Sequence, residues 1–255
     1  TLEMGQDMQG VVLAITSVTG GSGAGGNFQS GDTIAVNFTI KTTNGTSLAA
    51  SELNYSTIYV SGPTTNYQRV IAKTSNWHTA AVQNADGSYT YTTTAIPATY
   101  LAPLDDTATF TNGELTGQAL QAGTYTVGME TWKTYTDVTG TSFRDPGSTT
   151  KDFLFGSATT LAAREVVKKE NCNQCHVTLE AHSHRRRDTK LCVLCHTAGM
   201  EDTNNPAIEG GSPNITLEFK VMIHKIHNGA HLPSVNGVTT DGTGTRVYGT
   251  GVPYR

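Results

Sequence analysis

Between Val11 and about Phe155 the chain is written in short runs whose apolar and polar positions alternate by twos. In the clearest run Ile34, Val36, Phe38 and Ile40 fall on one side of an extended chain, and Thr33, Ala35, Asn37 and Thr39 on the other. That period is the mark of a strand with one face in a core. Runs of the same kind are Val11–Val18, Thr33–Lys41, Thr57–Val60, Gln68–Ala72, Ser88–Ala95, Thr124–Thr131 and Lys151–Phe155, separated by Gly, Asn, Asp and Pro. About seven short strands so punctuated predict an antiparallel sandwich of immunoglobulin-like type. No disulfide can staple it, because all the cysteines lie beyond it. Gly21-x-Gly23-x-x-Gly26 has the letters of a dinucleotide fingerprint, but no helical pattern comes after it, so it reads as a loop.

After the last of these runs the period changes. Ala158–Glu170 spaces Leu161, Glu165 and Lys168–Lys169 as an amphipathic helix would, and is expected to link the sandwich to the cysteine-bearing segment. Glu201–Pro213, rich in Asn, Gly and Pro, reads as loop. A second helix is expected at about Leu217–His227, with Glu218 in its first turn and Asn228–Gly229 as its stop. The rest runs through Gly, Thr and Val to Arg255 without a closing element.

Composition sharpens the division. Residues 1–157 carry 12 acidic and 6 basic side chains, net −6, whereas residues 158–255 carry 9 and 11, net +2. His78 alone lies in the first part; the other seven histidines and all four cysteines lie in the second. Charged residues are only 15% of the chain and Gly numbers 27, a balance more usual in secreted β-rich proteins than in helical enzymes. No run of eighteen apolar residues is present, so no transmembrane helix is predicted. The first residue is Thr1 rather than Met, as expected of a mature or trimmed chain.

The chemistry is carried by two pentapeptides, Cys172-Asn-Gln-Cys175-His176 and Cys192-Val-Leu-Cys195-His196. In C-x-x-C-H the two thiols form thioethers with a haem and the histidine ligates its iron, so Cys172, Cys175, Cys192 and Cys195 would hold two haems c and His176 and His196 would be the proximal ligands. C-x-x-C, sixteen residues, C-x-x-C is also the spacing of a four-cysteine zinc ribbon. Zinc, however, asks for no histidine after each second cysteine, and at the background frequency of His two such placements arise about once in a thousand.

A second histidine on each iron would leave a haem able only to change oxidation state, and an open position would permit catalysis. His224 and His227, at i and i+3 of the expected helix, share a face with Val221, Met222, Ile223 and Ile226 close by. His182, six residues after the first motif, is the third distal candidate; three candidates for two irons leave one for a haem in another segment or subunit. His78, isolated among strands, reads as structural. Arg185, Arg186 and Arg187 form a basic run without interleaved aromatics, which excludes a nucleic-acid groove and suggests charges offsetting haem propionates.

The order Cys172–His176, Leu179-x-x-His182 with basic residues after it, Cys192–His196, and Met222-Ile-His224-Lys-Ile-His227-Asn-Gly229 resembles the outer-membrane multihaem (decahaem) c-type cytochromes of metal-reducing bacteria. The resemblance covers about Lys168–Pro233, and the Gly-, Thr- and Tyr-rich strands before it look like the domain such proteins place ahead of a haem domain. It implies bis-histidine haems and export to the outer-membrane surface or beyond, with the periplasm as alternative. It also implies electron delivery to extracellular metal oxides or flavins. It favours His182, His224 and His227 over His184 and His231 as distal ligands. Family members continue into further C-x-x-C-H motifs, so this chain is expected to be the amino-terminal part of a longer protein, or a two-haem relative meeting other multihaem cytochromes or copies of itself.

The reading is therefore an immunoglobulin-like sandwich over residues 1–157 followed by a haem-packed, mostly irregular and helical domain over 158–255. Its function would be electron transfer rather than enzymatic turnover. The alternatives are a haem reductase with an open iron site and a zinc-stabilised β-rich binding module.

Overall fold

The computed structural model describes residues 10–104, 113–182, 184–202, 215–228, 239–240 and 246–247. Its body is two four-stranded antiparallel sheets. The first has the order β1-β2-β6-β5, with β1 at Val12–Thr19, β2 at Thr33–Lys41, β5 at Val82–Gln83 and β6 at Tyr89–Ala95. The second has the order β4-β3-β7-β8, with β3 at Tyr55–Gly62, β4 at Gln68–Ser75, β7 at Gly123–Thr136 and β8 at Ser142–Phe155.

Alternation places the core as the sequence predicts. Ile34, Val36, Phe38 and Ile40 of β2 are buried in one cluster with Ile58 and Val60 of β3 and Tyr125, Val127 and Met129 of β7. Trp77, in a single helical turn α1 (Trp77–Ala80), is fully buried there and donates its indole N–H to the Thr57 carbonyl at 3.0 Å.

Strands β3 and β7 depart from the half-buried pattern: β3 beyond Tyr55 and the Thr124–Trp132 stretch of β7 are buried on both faces. A strand reads this way when something covers its outer side. Here the cover is the cysteine-bearing segment. Helix α3 (Thr189–Cys195) buries Leu191, Val193, Leu194 and Cys195 in a second cluster with Tyr59, Tyr67 and Phe219. Contact is close because β7 offers Gly128, where a Cβ would stand 2.5 Å from Leu194 Cδ1 and 2.8 Å from Leu191 Cδ1. Ser61 of β3 donates its hydroxyl to the Leu194 carbonyl at 2.8 Å. The Asp188 carboxylate caps α3 by accepting from the Lys190 N–H at 2.9 Å.

The helix expected over Ala158–Glu170 does not form; only Lys169–Cys172 (α2) is helical. Its backbone groups are claimed by the sandwich instead. Ala162 donates its N–H to Thr124 Oγ1 at 2.8 Å and accepts from Thr64 Oγ1 at 2.6 Å, and Arg164 Nη1 donates to the Thr65 carbonyl at 3.0 Å. The second expected helix is present as α4 (Phe219–Asn228). The loop expected over Glu201–Pro213 is described only to Asp202, and Gly229 and His231 lie outside the described residues. Among the described residues no helix is long and apolar enough to cross a membrane.

Candidate functional site

Both pentapeptides begin in a helical turn, which points successive side chains around one short axis. His176 N–H donates to the Cys172 carbonyl at 3.0 Å, and His196 N–H to the Cys192 carbonyl at 2.9 Å. Their surroundings differ. Cys175 and His176 are exposed, whereas Cys195 and His196 are buried under the second cluster. Burial pushes the Cys195 thiol up to about 12 and the Cys192 thiol up to about 11, and lowers His196 below the ordinary imidazole value.

The histidines meet in two pairs. The rings of His182 and His196 lie with centres 5.9 Å apart and planes at 30°; those of His176 and His227 lie 6.1 Å apart at 78°. An imidazole nitrogen binds a first-row metal at about 2.0–2.1 Å, so two rings on opposite sides of one ion have centres about 6–6.5 Å apart. The His176–His227 pair falls within that range and the His182–His196 pair lies just below it.

The tautomers suit it as well. His196 Nδ1 lies 2.9 Å from the Leu217 carbonyl, His224 Nδ1 2.7 Å from that of Lys220, and His227 Nδ1 2.9 Å from that of Ile223. A carbonyl at Nδ1 fixes the proton there and leaves Nε2 as the lone-pair donor. His224 is exposed and has no histidine partner among the described contacts. Met222 and Ile223 of α4 pack against the α3 cluster, while Ile226, 63% exposed, and Val177, fully exposed beside His176, leave apolar surface near the second pair. His78 shares a hydrogen bond with Ser56 Oγ at 2.8 Å.

Each of the three arginines has a protein partner. Arg185 lays its guanidinium over the Trp132 ring, 4.9 Å from its centre, and Trp132 stacks on Tyr55 at 4.1 Å. Arg187 pairs with Glu180. Arg186 reaches under the turn to Glu130, donating from Nε at 2.9 Å and Nη2 at 3.0 Å, while Nη2 also donates to Tyr59 OH at 2.8 Å. Thr57 Oγ1 and Tyr59 OH complete the ring around Glu130 Oε1 at 2.6 and 2.7 Å. Burial alone would raise the Glu130 carboxyl, but the Arg186 guanidinium and these hydroxyls hold it below its ordinary value. Sequence reasoning missed Glu130; its one trace is a carboxylate in the apolar run Thr124–Trp132.

The described residues form a two-sheet β body with a paired C-x-x-C-H segment docked on one sheet. Residues 164–248 match the model for outer membrane cytochromes of the MtrC/MtrF-like family, domains II/IV. Among solved structures, the crystal structure of MtrC from Shewanella baltica OS185 is similar over 88% of this chain, at TM-score 0.51 and 18% identity. At that identity the likeness speaks for the fold. The chain covers 33% of that protein, about a third of its length. No curated protein matches. The resemblance to outer-membrane multihaem cytochromes drawn from the sequence is thus met by both the family model and the fold.

Proposed function

We propose that this chain is an electron-relay segment of an extracellular c-type cytochrome. Two haems c would be bound through Cys172, Cys175, Cys192 and Cys195. The observation that carries the reading is the pairing of each motif histidine with one further histidine, His176 with His227 and His196 with His182, at ring-centre distances of 6.1 and 5.9 Å, close to what two imidazoles on one metal would take. A bis-histidine haem supplies one-electron exchange at an iron with no position left for substrate.

The protein's own contribution is placement. The α2 and α3 turns present the thiols, backbone carbonyls orient the imidazoles, and the second sheet seats α3. His224 is then left for a haem contributed by another segment or subunit, which would extend the relay. Arg185 and Arg187 remain the propionate-side candidates, whereas Arg186 is committed to Glu130. Residues 1–157 would form the immunoglobulin-like domain and 158–255 the haem domain. The family resemblance favours the outer-membrane surface, with other multihaem cytochromes as partners and metal oxides or flavins as acceptors.

Against a zinc-stabilised module stands the arrangement of the thiols: among the described residues no three Cys, His, Asp or Glu side chains gather as a metal site would need. Intact-mass spectrometry of the exported protein tests the reading. A mass two haems above the polypeptide is expected, with a reduced spectrum unchanged by carbon monoxide. A colourless protein of bare polypeptide mass would sink it.

A further inference from the structure

We propose that Glu130 and Arg186 are positioning residues for His182, so that the outer face of the second sheet sets the gap between His182 and His196. This rests on the reading of those two histidines as axial ligands of one haem.

His182 sits in a tight turn closed by Ala181 and Arg186, which exchange backbone hydrogen bonds at 3.0 and 3.1 Å. Its backbone is left-handed, φ 52°, a conformation that L residues with a side chain seldom hold unaided. What holds the turn is reach into the sheet. The Arg186 side chain, directly across from Ala181, forks onto Glu130 of β7, itself braced by Thr57 and Tyr59 of β3. Arg185 Nε donates to the His182 carbonyl at 2.7 Å while its guanidinium rests on Trp132.

The facing ring is tied to the same strands by other contacts. His196 ends α3, which lies over Gly128 of β7 and accepts the Ser61 hydroxyl of β3. Both rings are therefore referenced to β3 and β7 through separate attachments, and the 5.9 Å gap is a property of the sheet rather than of the turn. Among the described residues nothing comparable holds His176 and His227: α2 has no buried residue, and α4 packs on α3. The ion pair should therefore matter to one haem and not the other. A bidentate fork of this kind, anchored on the buried Glu130 carboxylate, fixes direction as well as distance.

The test uses the haem-loaded full chain, reduced and exposed to carbon monoxide, which binds only where a sixth ligand is lost. His182→Ala is expected to make one haem in two reactive. The paired change Glu130→Leu with Arg186→Leu, which removes both charges together and so leaves neither buried alone, should keep both covalent haems. It should show at least half the reactivity of His182→Ala, confined to one haem. Arg186→Lys, which retains charge without the fork, should fall between wild type and the pair.

A pair variant that keeps both haems low-spin and inert to carbon monoxide overturns the proposal, as does one that opens both haems equally, since general loosening would do that. If the pair variant fails to fold, Arg186→Lys and Glu130→Gln decide: reactivity above wild type supports the proposal and wild-type inertness overturns it. Inertness of His182→Ala instead would remove the ligand assignment beneath it.

Discussion

Leu194 stands so close above Gly128 that a methyl group at that position would lie 2.5 Å from its Cδ1. The contact is the seat of α3 on the second sheet, and it has no room for a large side chain. Gly128→Leu should destabilise the protein by about 1–3 kcal/mol through overpacking, and Gly128→Ala by less, because the nearest atoms are the ends of flexible leucines. Urea midpoints of the two variants check the order.

The two histidines of α4 should behave differently. His227 faces His176, so His227→Ala should open one haem to carbon monoxide. His224 has no such partner among the described contacts, so His224→Ala should leave both haems of this chain closed. Carbon monoxide difference spectra distinguish the two, and equal behaviour would refute the pairing.

Acid should weaken the sheet-to-turn ion pair. The Glu130 carboxyl is held below its ordinary value in the fold, so its contribution is complete above the unfolded value of about 4.3 and is lost as the pH falls through the folded one. Stability measured by urea at pH 7, 5 and 3.5 should therefore fall toward acid. Glu130→Gln should be less stable at pH 7 and should show a shallower fall; an unchanged slope would count against the pair.

Trp132 bridges Tyr55 and Arg185 and is 9% exposed. Trp132→Ala should cost about 3 kcal/mol or more, read as a lowered unfolding midpoint.

Most strands with one face to solvent were legible, and β2 occupies the residues its alternation predicts, but Val82–Gln83 and the Ser142–Thr150 half of β8 carry too few apolar residues to mark themselves. The outward faces of β3 and β7 were not legible, since a strand covered on both sides loses its period, and the covering segment lies far along the chain. The expected helix over Ala158–Glu170 failed for a related reason: its local pattern was genuine, but the hydroxyls of Thr64 and Thr124 offered Ala162 a better partnership than its own helix would. The cysteine motifs declared themselves because their spacing is local. The pairing of Arg186 with Glu130 did not, because 56 residues separate them and a buried charge leaves no periodic mark.

The double coverage of β3 and β7 bears on how the protein can be handled in pieces. A fragment ending near residue 157 would bare Tyr59, Tyr67 and an orphaned Glu130 on one broad flank, inviting aggregation and acid-dependent solubility. Fragment boundaries placed beyond α4 would keep that flank dry.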